Sequence, residues 1–146
     1  MRAILAALVV LVLLGLLLFV VPFPAHSQVA SIALSWTAPG DDGNVGTASR
    51  YDLRWSITRP DTTSTAAKDA WWAAATAVAG VPTPLIAGSA QSVVVSPAGG
   101  FTTGRTYYFV IRSADEVPNW SAWSNVAVKG IPDTTPPAPI IDLRPS

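Results

Sequence analysis

Residues 104–125, GRTYYFVIRSADEVPNWSAWSN, constrain this chain more than any other stretch, because they set an alternating strand, a polar turn and the start of a second strand in direct succession. Tyr107, Phe109 and Ile111 share one parity and Tyr108, Val110 and Arg112 the other, so one face can enter a core while the other meets solvent. The stretch therefore asks for partner strands, and the upstream chain supplies them. Ile32, Leu34 and Trp36 alternate with Ser31, Ala33 and Ser35 until Pro39-Gly40-Asp41-Asp42-Gly43-Asn44 stops the strand. Tyr51, Leu53 and Trp55 then alternate with Arg50, Asp52, Arg54 and Ser56, an aromatic inner face against a charged outer one, closed by Arg59-Pro60.

Residues 64–80 break this texture. Ser64 or Thr65 can cap a short helix over residues 66–75, where alanine density favours helix. Successive helical residues differ by about 100° in direction, so one of Trp71 and Trp72 is expected to be partly exposed. Val81-Pro82-Thr83-Pro84 reads as a rigid extended connector. Another strand follows over residues 91–96 with Val93 and Val95 inward, and Val126 and Val128 are expected to form the inner face of the last one. Short alternating strands, frequent turn signals and no long amphipathic helix imply an all-β sandwich of two antiparallel sheets with a core built around Trp36, Tyr107 and Phe109.

Composition narrows the biology. Nine basic and nine acidic side chains balance, and without Arg2 the remainder is eight against nine, a net of minus one, so no nucleic-acid partner is expected. Residues 1–27 carry one early basic residue, an apolar run from Ala3 to Val21, two prolines and the small-residue pattern Ala25-His26-Ser27. That is the grammar of a signal peptide cleaved after Ser27. The run also approaches the roughly 20 residues that span a bilayer, so an uncleaved anchor, giving a membrane-attached protein, is the alternative. Either reading puts the remainder outside the cytoplasm, secreted or at the cell surface. Cysteine is absent, so stability there has to come from packing. Domain limits follow: 1–27 leader, 28–131 globular domain, and 132–146 a proline-rich linker with the start of a further domain.

The segments YDLRWS, YYFVIRSADE and NWS, together with Trp36, resemble fibronectin type III domains of the secreted bacterial kind over roughly residues 31–129. Trp36 is similar to the family's central tryptophan, and residues 101–107 to the corner that ends in a tyrosine, with Phe101 and Thr103 in place of its leucine and proline. The resemblance implies an immunoglobulin-like sandwich of seven strands, here short of its first strand, and a hydrogen bond from the Tyr107 corner. Trp120-Ser121-Ala122-Trp123-Ser124 further resembles the WSXWS motif of class I cytokine receptors, whose tryptophans interleave with arginines. Arg112 and Arg54, on outer strand faces, are the expected stacking partners of Trp120 and Trp123, with Arg112 between the two rings. The receptor family's paired cysteines are missing here, so the motif implies a shared structural solution and no cytokine binding. Asn119-Trp120-Ser121 is also a glycosylation sequon, relevant in a eukaryotic host alone.

Catalytic signals are few. His26, the sole histidine, lies at the expected cleavage position, which leaves no imidazole for a triad or a metal site in the mature chain. Asp41-Asp42 and Asp115-Glu116 read as turn-forming and solvating charges, with a weak calcium site as the alternative where the resembled fold brings them to one end. The expectation is thus a noncatalytic module without cofactor or resident metal, a spacer or protein-interaction unit. The alternative is an accessory module contacting cell-surface polysaccharide through exposed Trp71, Trp120 or Trp123. Rings in an exposed row would favour the second; rings buried or stacked on arginine favour the first. Ile140-Ile141-Asp142-Leu143 resembles a strand on a tether, which allows head-to-tail association of an otherwise monomeric chain.

Overall fold

The computed structural model describes residues 28–117 and 119–145, so the leader assigned to residues 1–27 lies outside it. Strands β1 (Gln28–Val29), β2 (Ile32–Thr37) and β3 (Arg50–Ser56) precede helix α1 (Thr65–Ala74). They are followed by β4 (Thr76–Ala77), β5 (Ala90–Val95), β6 (Phe101–Thr102), β7 (Arg105–Ala114) and β8 (Ala127–Ile131). A four-stranded antiparallel sheet runs β4-β3-β7-β8, a two-stranded one pairs β2 with β5, and β1 with β6 makes a short ribbon. The sheets face each other, giving the all-β sandwich that alternation requires. Among the described residues no helix is long and apolar enough to cross a membrane.

The core between the sheets joins Ile32 and Val95 of one layer to Leu53, Tyr107, Phe109 and Ile131 of the other, with Phe101 fully buried at its centre. Phe101 meets Tyr107 edge-on at 4.7 Å and Trp55 at 5.5 Å, the geometry ring quadrupoles favour. The corner is closed as expected, with Thr102 N donating to the Tyr107 hydroxyl at 2.8 Å. Buried Gln91 has its amide satisfied: Oε1 accepts from the Tyr51 hydroxyl at 2.7 Å and from Leu85 N at 3.1 Å, and Nε2 donates to Thr83 O at 2.9 Å. That knot fixes the 83–85 connector against both layers.

Three expectations are corrected. Trp36 is not a central core residue: it is half-buried, packs edge-on against Tyr51 at 5.3 Å, and lines a groove at the side of the sandwich. The inner face of β8 is Ala127 and Ile131, while Val128 is exposed and Val126 packs on the opposite side of the sheet. Trp71 and Trp72 are both buried, each 7% exposed. The helix has two walls, since it lies on the outer face of the four-stranded sheet and also against Trp123, so two side chains about 100° apart each find a surface. A second apolar cluster results, with Val110 at its base.

Helix α1 starts where the sequence says it should. The Ser64 hydroxyl accepts from Ala67 N at 3.1 Å, satisfying one orphan donor of the first turn. The C-terminal half of the helix is tied to β3 and the residues just after it: Trp71 Nε1 donates to Thr58 O at 2.7 Å, and Arg54 donates to the Trp72 carbonyl at 2.9 Å. The second bond occupies a last-turn carbonyl that has no partner within the helix.

Candidate functional site

Period two places Arg50, Asp52 and Arg54 of β3 on the outer sheet face, and antiparallel register sets Asp52 directly opposite Arg112 of β7. The Asp52 carboxylate accepts from Arg54 Nε at 3.1 Å and lies 3.7 Å from Arg112, so it holds two guanidiniums side by side. Two indoles come down on them. Arg54 lies 4.9 Å from the centre of the Trp72 ring, Arg112 4.3 Å from Trp72 and 4.4 Å from Trp120, and Arg50 5.2 Å from Trp120. The contacts run in series, Arg54, Trp72, Arg112, Trp120, Arg50. Each contributes about 0.5–1 kcal/mol where water has access. Arg112 makes two of them with its side chain 25% exposed, and its Nε forms no hydrogen bond with the described residues.

The repeat Trp-Ser-x-Trp-Ser has a spacing of three, and that spacing builds the site. Ser121 N donates to Ser113 O at 2.8 Å while Ser113 N donates to the Ser121 hydroxyl at 3.1 Å. Ser124 repeats this with Ile111, at 2.9 and 3.1 Å. Ala127 then pairs with Phe109, so three residues of this segment pass for every two of β7. A plain strand advanced by three would turn its second tryptophan to the opposite face, whereas a three-residue repeat returns it to the same one. The serine hydroxyls accept from N–H groups that a one-to-one ladder would have satisfied. This three-for-two passage also displaces the parity of β8, which is why Val126 and Val128 do not enter the core.

Of the residues singled out in the sequence, Arg54, Arg112 and Trp120 are brought together, and Trp71 and Trp123 stand beside them. Trp123 does not sandwich Arg112; it packs on Trp71 and Trp72, with ring centres 5.4 and 5.5 Å apart. Trp72 takes its place. One member, Trp72, escapes a reading based on strand parity, because it arrives from the helix, whereas Arg50 lies on the outer face that parity gives it and is not among the expected stacking partners. The adjacent pair Trp71-Trp72 in an alanine-rich helix was the available signal, since two large indoles next to each other need two surfaces.

At the end of the sandwich beyond Trp120, Asp41 and Asp115 line one shallow depression, so the two acidic pairs do converge. Burial, followed by the charges of Glu116, Asp42 and Asp115, holds Asp41 above the ordinary carboxylate range. Asp115 is held below it by the Asn119 backbone N–H at 2.8 Å and then by its side-chain amide at 2.7 Å. Among the described residues no three His, Cys, Asp or Glu side chains are grouped to hold a metal ion. Compared with protein-family models, curated proteins and solved structures, the chain finds no match.

Proposed function

We propose that this chain is a noncatalytic exported module of fibronectin type III type, serving as spacer or protein-interaction unit of a secreted or cell-surface protein. The observation that carries the reading is the fate of its tryptophans. Trp71 and Trp72 are buried, Trp123 is half-buried against them, and Trp120, 37% exposed, already has Arg50 and Arg112 on its ring. Such rings stiffen a scaffold; they do not form the open row on which sugar rings stack. The strand order β4-β3-β7-β8 facing β2-β5 supports the fibronectin-like reading, with the place beside β2 as that of the first strand.

Affinity electrophoresis through gels containing soluble cell-wall and plant polysaccharides tests it. Migration is expected to be unretarded in every gel. Retardation abolished by Trp120→Ala would overturn the spacer reading in favour of a polysaccharide-contacting accessory module. Export is checked separately by N-terminal sequencing, with Gln28 as the expected first residue and Met1 as the result that would establish an anchor.

A further inference from the structure

One side of the sandwich is open among the described residues. Among the described residues β2 hydrogen-bonds to β5 alone, so its other edge faces outward with backbone donors and acceptors free of any strand. Across from that edge run residues 121–125, and between them lies a groove of about 400 Å³ floored by Trp36, Tyr51 and Ile111. Further along β2 it continues into a second hollow of about 100 Å³ lined by Leu34, Leu53 and Phe109. Trp36 Nε1 is buried on this seam without a hydrogen-bond acceptor. An open strand edge, an apolar floor and an orphan indole N–H are all satisfied by one kind of ligand, an extended peptide with apolar side chains at alternate positions.

The chain itself carries such a peptide. In Ile140-Ile141-Asp142-Leu143 the isoleucines and the leucine are 81%, 92% and 90% exposed, the greatest exposures among the large hydrophobic side chains of the described residues. Alternation puts Ile141 and Leu143 on one face and Ile140 and Asp142 on the other, which matches a groove with an apolar floor and an open top. The same molecule cannot easily use it in the antiparallel sense. Ile131 O accepts from Gly104 N beside the β6–β7 turn, at the end of the sandwich where β2 begins. An antiparallel strand would have to enter at the Pro39 end, about 26 Å away at 3.3 Å per residue. The proline-rich stretch 132–139 covers about 25 Å at full extension, which leaves nothing for the turn.

We propose that residues 140–143 of a second copy add as a strand to the open edge of β2, with Ile141 and Leu143 filling the seam, so that molecules join head to tail. The interface is small and self-propagating, which makes the association weak and its products open chains or rings. Light scattering on the full exported chain, followed from micromolar to millimolar concentration, is the test. Wild type and Ile140→Asp are expected to gain mass as concentration rises, whereas Ile141→Asp and Leu143→Asp remain monomers. These substitutions lie in an exposed tail and leave the fold intact, so loss of association cannot be laid to unfolding. A wild-type monomer at every concentration overturns the proposal, as does association that survives Ile141→Asp or is lost equally in Ile140→Asp.

Discussion

The inner and outer faces of the four-stranded sheet are both covered, and by different chemistry. Inside, Phe101, Tyr107, Phe109 and Trp55 meet ring to ring with no charge among them. Outside, the indoles of Trp72 and Trp120 meet guanidiniums, with Asp52 holding Arg54 and Arg112 in place. The inner layer is held by removal from water, a force without direction that tolerates any packing of the right volume. The outer layer depends on planes and charges in fixed relation, because a guanidinium is attracted to the face of an indole, not to its edge. One sheet thus carries a core that sets stability and a stack that sets how the helix and residues 119–126 lie on it.

Substitution can separate the two layers. The largest effect is expected for Phe109→Ala, about 3–5 kcal/mol, because a ring that is 1% exposed leaves a cavity its neighbours cannot close. Chemical denaturation should show this as a lower midpoint with an unchanged slope, and a loss under about 1 kcal/mol would mean that the inner face is not the stability-determining layer. Trp72→Ala comes next at about 3 kcal/mol, and its readout differs in kind. Hydrogen exchange should show the amides of α1 losing protection while those of β2 and β5 keep theirs. Uniform loss across the molecule would make the two layers one cooperative unit.

Arg112→Ala should lower stability by about 1–2 kcal/mol and alter tryptophan fluorescence, since two ring contacts disappear together. Arg112→Lys is expected to recover only part, an ammonium being unable to lie flat on two indoles. Equal behaviour of the two variants would show that the stack acts through charge alone. The smallest effect is expected at Asp41. Its carboxyl is held above the ordinary value, so the folded state retains its proton more firmly than the unfolded one, and this contribution to stability is lost as pH rises through the folded value. Asp41→Asn should therefore melt slightly higher than wild type at neutral pH, with the difference vanishing once both folded and unfolded carboxyls are protonated. A variant less stable at neutral pH would mean that the charge at this end serves the fold.

Much of this was open to a reading of the sequence, and what was missed has a common cause. The strands over residues 32–37, 50–56, 90–95 and 105–114 follow from period-two alternation and from the turns between them. The helix follows from alanine density and the Ser64 cap, and the outward placement of Arg54 and Arg112 follows from strand parity, whereas Trp120 is expected beside them through the resemblance of residues 120–124 to the WSXWS motif. The parity of β8 does not, because it depends on residues 121–127 passing β7 three for two, and that is settled by serine hydroxyls meeting backbone groups of another strand. Nor could alternation place Trp36, whose exposure depends on what lies beside β2.

What the sequence determined by itself is the set of elements and the face each residue offers, since both are consequences of local backbone geometry, 2.0 residues per repeat in a strand and about 3.6 in a helix. Tertiary structure alone decided which indole meets which guanidinium, that Trp72 and not Trp123 shares Arg112 with Trp120, and that among the described residues β2 pairs along one edge alone. Those outcomes turn on contacts between segments far apart in the chain, such as Arg112 and Trp72, which are 40 residues apart. Local rules carry no information about such separations; packing does.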